Sequence, residues 1–334
     1  MKNKYSFKFG VIVLSLVLIA CSGGSVDAGC PEIDGREINV VATTPMIGEF
    51  VSNVGGDNIN LTVLMPPEAD PHSYEPAPQD AGTIADADLV FYTGLMYEPS
   101  PLVELLEISV CGSEALAEVG ESVFPIEFKE GGHDDHDDHG EKGHDDHDDH
   151  GGHEGHGHGA YDPHFWFDPN RVVYASEFIE SKLIELDPSN AASYQAAGDT
   201  YATELSSLTG QVSQLIGSIP SQNRKLITTH ESLGYLEAKF GLEVLSTIIP
   251  DLDSSNEITP AQLVGVIDVI EDNNVKVIFI EAEAPSVYAE TIVAETGIKA
   301  VKGLWVETLK PGQTYQEFLI AAVELIVENL SNSD

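Results

Sequence analysis

The sequence predicts an α/β protein: two lobes of parallel-type sheet with flanking helices, joined by one long helix. Three observations predict it. β-Branched runs alternate with helical patterns across residues 37–188. Apolar residues then recur at spacings of three and four over 189–219, and a second alternating series fills 220–334.

Ile38–Thr43 is a β-branched run and reads as a strand, followed by a helical pattern at Met46–Val54. Ile59–Met65 and Leu89–Thr93 read as further strands, and Leu102–Ile108 as a helix. Pro169–Leu186 reads as a helix that stops at Asp187-Pro188. Tyr194, Ala197, Tyr201, Leu205, Leu208, Val212, Leu215 and Ile219 then lie on one face of a continuous helix. About 30 residues at 1.5 Å each give roughly 45 Å, enough to cross a domain or join two. Beyond it, Lys225–Thr229, Leu242–Thr247 and Val275–Ala282 read as strands. Ser232–Phe240, Pro260–Glu271, Ser286–Thr296 and Tyr315–Leu330 read as helices.

The 334 residues carry 15 Lys+Arg against 56 Asp+Glu, a formal charge of −41. That excess disfavours nucleic acid and anionic membrane surfaces as partners and favours cations, although a saline habitat would leave the same mark. Lys2, Lys4 and Lys8 precede an apolar run from Val11 to Ala20, the pattern of a signal peptide over residues 1–20. The run is too short to span a bilayer. It ends at Leu18-Ile19-Ala20-Cys21, which looks like a bacterial lipoprotein cleavage box and makes Cys21 the expected lipid-bearing residue. Residues 21–36 then form a lipidated tether, and the expected location is extracytoplasmic, periplasmic or at the cell surface. Contact with the membrane is expected through the lipid anchor only. Cys30 and Cys111 are the two remaining thiols of an exported chain and are expected to pair.

The twelve histidines fall into two groups. Nine lie in the Gly-, Asp- and Glu-rich segment 130–159: His133, His136, His139, His144, His147, His150, His153, His156 and His158. Eleven carboxylates and one Lys share that segment, which has nothing apolar to bury and reads as disordered. Imidazole and carboxylate bind divalent metals, so it reads as a loose accessory collector, or else as a solvated acidic loop. The other three histidines stand alone at element ends. His72 lies in Asp70-Pro71-His72 and His164 in Asp162-Pro163-His164, whereas His230 closes the strand ending Thr228-Thr229. Each Pro fixes its own φ and keeps the residue before it extended, so both His side chains sit on restrained turns.

These residues resemble the metal-specific solute-binding lipoproteins of zinc and manganese ABC importers. The resemblance rests on the box at Cys21, Asp70-Pro71-His72-x-Tyr74-Glu75-Pro76, Asp162-Pro163-His164-x-Trp166-x-Asp168-Pro169 and Thr229-His230-x-x-x-Gly234-Tyr235. Ser246–Pro260, with Glu257, and the stretches Val277–Glu281 and Glu295-Thr296-Gly297 continue it in order. It implies a metal site in the cleft between the lobes, with His72, His164 and His230 as ligands. The family's fourth ligand is often an Asp near the C-terminus; here Leu304–Leu309 offers Glu307, or a water takes that place. It also implies a non-enzymatic monomer that partners an ABC permease and its ATPase.

The leading expectation is capture and delivery of Zn²⁺, since three imidazoles and one oxygen suit its tetrahedral preference. Mn²⁺ is the alternative, and an adhesin of the same fold stays open. A zinc hydrolase built on the same three histidines would also need a general base beside a substrate pocket, and no motif supplies one.

Overall fold

The computed structural model describes residues 33, 35–128, 161–251, 253, 256–283 and 287–331. The expected signal segment 1–20, Cys21, Cys30 and the histidine-rich stretch 130–159 lie outside the described residues. Cys111 is disulfide-bonded.

The first sheet contains β1 (Ile38–Ala42), β2 (Ile59–Val63), β3 (Leu89–Tyr92) and β4 (Leu116–Glu118) in the order β2-β1-β3-β4. All its pairs are parallel, with Ile38 opposite Ile59, Val40 opposite Leu89 and Val90 opposite Leu116. The second sheet contains β5 (Lys225–Thr228), β6 (Glu243–Thr247), β7 (Val277–Glu281) and β8 (Lys299–Leu304), ordered β6-β5-β7-β8 and again parallel. Both sheets therefore reverse strand order beside their first strand. In such sheets the crevice beyond the carboxyl ends of the strands at the reversal is where ligands sit.

Helices α1 (Pro45–Gly55), α2 (Pro78–Ala85), α3 (Ser100–Ser109) and α4 (Pro169–Leu186) flank the first sheet. Local chemistry explains their starts. Thr44 caps α1 by accepting from the Ile47 N–H, and Asp168 caps α4 from the Asn170 N–H, each with Pro in the first turn. Val172, Ala175, Ile179 and Leu183 form the buried stripe of α4.

The long helix α5 runs unbroken over Ala191–Gly217, 27 residues or about 40 Å, after a short 3₁₀ turn at Pro188–Asn190. Tyr194, Gly198, Tyr201, Leu205, Leu208, Val212 and Ile216 are its buried residues, so both internal glycines, Gly198 and Gly210, are accommodated without a break. A Cβ at Gly198 would meet the carboxylate end of Glu180 on α4, which is flexible enough to move aside. Helices α6 (Gly234–Phe240), α7 (Pro260–Asn273) and α8 (Tyr288–Thr296) serve the second sheet. The last helix, α9 (Tyr315–Ser331), packs against α5, β7 and β8.

One buried apolar cluster runs through both halves, from Val40, Phe50 and Phe91 through Trp166 and Tyr201 to Phe279, Leu304 and Tyr315. Strands β4 and β8 and helix α2 are additions to the sequence reading, which otherwise differs from the structure by a few residues at element ends. Among the described residues no helix is long and apolar enough to cross a membrane.

Candidate metal centre

Each solitary histidine follows a strand end or a capped turn. The two Asp-Pro-His triplets fold alike: Asp70 Oδ1 accepts from the His72 N–H at 3.0 Å, and Asp162 Oδ1 from the His164 N–H at 2.8 Å. A short acidic side chain bonding its own backbone two residues on is the turn these residues favour. His230 lies just past β5, with its N–H 3.3 Å from Glu281 Oε1. Glu307 follows β8 on a segment pinned from three sides. Trp166 Nε1 donates to Val306 O at 2.8 Å, and Tyr97 Oη lies 3.0 Å from Glu307 O. Glu283 Oε1 accepts from the N–H groups of Val306, Glu307 and Thr308 at 3.0, 3.0 and 3.4 Å.

The structure brings His72, His164, His230 and Glu307 into one cluster, whose donor atoms all lie within 4.8 Å of one another. Glu307 Oε1 stands 3.6 Å from His72 Nε2, 3.3 Å from His164 Nε2 and 2.7 Å from His230 Nε2. All four atoms are buried, and none has a hydrogen-bond partner. The short His230 approach brings two potential metal donors, a nitrogen and an oxygen, to the same point. Buried polar atoms left unsatisfied are costly, and four converging ones call for a cation between them. A tetrahedral zinc site with bonds of about 2.0–2.1 Å places its donors roughly 3.3–3.4 Å apart, and the three separations from Glu307 Oε1 bracket that value.

The outer ring nitrogens are held in place. His164 Nδ1 is 2.8 Å from Asp162 Oδ1, and His230 Nδ1 is 2.5 Å from Glu281 Oε2. A carboxylate on Nδ1 keeps the proton there and turns the Nε2 lone pair inward. Glu281 also accepts from Ser232 Oγ at 3.2 Å. Neither Asp162 nor Glu281 was identified as a site residue from sequence. The Asp of Asp-Pro-His was a signal for one of them, whereas Glu281, at the end of an apolar strand, offered none.

Charge follows geometry. Burial would lower the His164 imidazole, but the Glu307 charge and the Asp162 hydrogen bond outweigh it and raise its pKa to about 9. His230 is raised in the same way, burial being overcome by Glu281 and then Glu307. Glu307 is held well below the usual carboxylate range: burial opposes its charge, but the His164 and His72 imidazoles overcome it. Glu283, pushed up by burial and by the Glu307 charge, reaches about 7. Tyr97 and Trp166 are fully buried and pack edge-on against His164, and Tyr97 packs likewise against His72. His72 alone of the four lines the open interlobe cleft, whose rim includes Glu104, Asp251, Asp253 and Glu257.

Two parallel-sheet lobes closed around three imidazoles and one carboxylate define a two-lobed metal-binding protein. The chain belongs to the ZnuA family, described as zinc-uptake complex component A, periplasmic, whose match covers residues 40–329. It is 28% identical over 327 residues to the manganese ABC transporter substrate-binding lipoprotein PsaA of Streptococcus anginosus, covering 96% of this chain and 97% of that one. It is 24% identical over 335 residues to the manganese-binding lipoprotein MntA of Halalkalibacterium halodurans, covering 98% and 99%. Among solved structures it shares the fold of the periplasmic zinc-binding protein TroA from Treponema pallidum, with a TM-score of 0.74 at 22% identity over 89% of this chain and all of that one. Fe(III)-bound YtgA from Chlamydia trachomatis has the same fold, with a TM-score of 0.70 at 24% identity over 88% and 98% of the two chains.

Proposed function

We propose that this chain, as the extracytoplasmic metal-binding component of an ABC importer, captures Zn²⁺ and delivers it to a permease driven by its ATPase. The observation that carries the reading is the donor set: three buried imidazole nitrogens and one carboxylate oxygen, all unpartnered, facing one point. Zinc takes four nitrogen and oxygen donors in a tetrahedron, whereas manganese favours an oxygen-rich shell. The second reading is Mn²⁺, which the names of the manganese-binding relatives favour.

In this proposal His72, His164, His230 and Glu307 hold the cargo, Cys21 carries the lipid anchor, Cys30 pairs with Cys111, and the protein works as a monomer. The nine histidines of residues 130–159 act as a separate, weaker collector. Native mass spectrometry with zinc and manganese in competition tests the metal. One tightly held zinc at equal concentrations supports the reading, and one tightly held manganese overturns it in favour of the second.

A further inference from the structure

The carboxylate of Glu307 has two oxygens, and the protein treats them differently. Oε1 faces the three imidazoles without a hydrogen bond, and Oε2 accepts the Tyr97 hydroxyl proton at 2.9 Å. Tyr97 belongs to the opposite lobe, 210 residues away in the chain, and is 1% exposed. Its ring meets those of His72, His164 and Trp166 edge-on, with centroids 5.1, 5.9 and 5.3 Å away.

The turn that aims Tyr97 is unusual. Gly94, Leu95 and Met96 are three consecutive left-handed residues, with φ of 77°, 53° and 64°. Two of them carry side chains that disfavour that region. Internal carboxylates hold the turn. Glu98 accepts from the Thr93 and Gly94 N–H groups at 2.7 and 2.9 Å and from Thr43 Oγ1 at 2.7 Å, and Glu118 accepts from the Leu95 N–H at 2.9 Å. Met96 stays 67% exposed, so burial of that side chain does not account for its strained backbone. Strain of this kind persists where the surroundings over-determine it, and it collects at functional positions.

We infer that Tyr97 is a specificity-determining residue: by hydrogen-bonding Oε2 it biases Glu307 towards one-oxygen donation and so favours a four-coordinate divalent cation over one that needs more oxygens. The inference rests on the assignment of the three histidines and Glu307 as the cargo site. Two-oxygen donation would weaken the hydrogen bond at Oε2 or turn its proton towards Glu307 O, 3.0 Å from the same hydroxyl, a difference of about tenfold in binding.

Tyr97→Phe keeps the ring and removes the hydroxyl, and Tyr97→Leu serves as a second variant should packing fail. Zinc and manganese dissociation constants are measured by competition, and the visible spectrum is recorded with Co²⁺ as the probe metal. The ratio of manganese to zinc affinity should rise roughly tenfold in both variants. The intense Co²⁺ bands of a four-coordinate site should weaken towards those of five or six coordination. An unchanged ratio with an unchanged Co²⁺ spectrum in a folded variant overturns the inference, as does a wild-type Co²⁺ spectrum that is already five- or six-coordinate. One tight metal retained by His164→Ala would instead overturn the site assignment beneath it.

Discussion

Glu281 is the most informative residue to perturb, because it touches the candidate site without being a ligand. Three donors converge on its buried carboxylate: His230 Nδ1 at 2.5 Å, Ser232 Oγ at 3.2 Å and the His230 N–H at 3.3 Å. Only the first acts directly on the electron density of the imidazole. A hydrogen bond to a charged group contributes about 1.5–3 kcal/mol, and a neutral acceptor retains roughly half of that. Glu281→Gln should therefore cost about 0.7–1.5 kcal/mol of metal binding, or roughly 3–12-fold in Kd at 1.4 kcal/mol per tenfold. Glu281→Leu removes the acceptor altogether and should cost about 10–100-fold, the range seen when outer partners of metal-bound histidines are lost. Zinc affinity is read by competition with a chromophoric chelator, with a far-UV circular dichroism melt of each apo protein as the folding control. Both variants should also release fewer protons on binding zinc, because His230 loses the charge that raises its pKa. A folded Glu281→Leu protein with wild-type affinity and wild-type proton release would refute the reasoning.

His164→Ala should weaken the single tight metal far more than either Glu281 variant, as the same chelator competition would show; retention of tight zinc would sink the ligand assignment. Zinc binding at neutral pH should release protons, since the His164 and His230 pKa values are both raised, and affinity should climb as pH rises towards about 9. Calorimetry in buffers of different ionisation enthalpy measures the release, and a buffer-independent enthalpy would contradict it. For the apo protein, the stability contributed by the raised His164 pKa is fully present below 6.5 and is lost as pH rises through about 9. The depressed Glu307 pKa contributes stability above 4.5 that is lost as pH falls through its folded value, so melts across pH should show both flanks. Deleting residues 130–159 should abolish weak, exchangeable metal in native mass spectra and leave one tight ion; loss of the tight ion would assign the loop to the primary site.

Much of this is legible in the sequence itself. Helix α4 begins and ends at the residues expected because Asp168-Pro169 caps it and Asp187-Pro188 closes it, signals that are local in the chain. The long helix α5 was visible through sustained three-four spacing, and His72, His164 and His230 through their shared position at element ends. Strand β8, with the sequence KAVKGL and burial confined largely to Val301 and Leu304, carries too few apolar residues to register as a strand. Strand β4 is three residues at a sheet edge, and α2 buries a single large apolar side chain, Ile84. The α2 start was nevertheless written in Pro78 and in Asp80, which accepts from the Ala77 N–H. Tyr97 and Glu281 escaped because their roles depend on contacts 210 and 51 residues away, and no local pattern encodes those.

The buried cluster shared by both halves governs how cargo comes and goes. Parting the lobes would uncover Tyr97, Trp166 and Tyr315, rings that bond across to Glu307, Val306 and the Trp166 carbonyl. Exposing three such rings costs about 5–9 kcal/mol, well above the few kcal/mol that separate readily populated conformers. With α5 as a rigid spine, a wide-open state is thermally remote. His72, on the cleft side of the cluster, sits on a short turn held by Asp70 and touches that apolar mass through the Tyr97 ring. Cargo exchange that spares this apolar mass should therefore be read as faster amide exchange at residues 66–77 than across the lobe contacts, and equal protection of both would contradict that ranking.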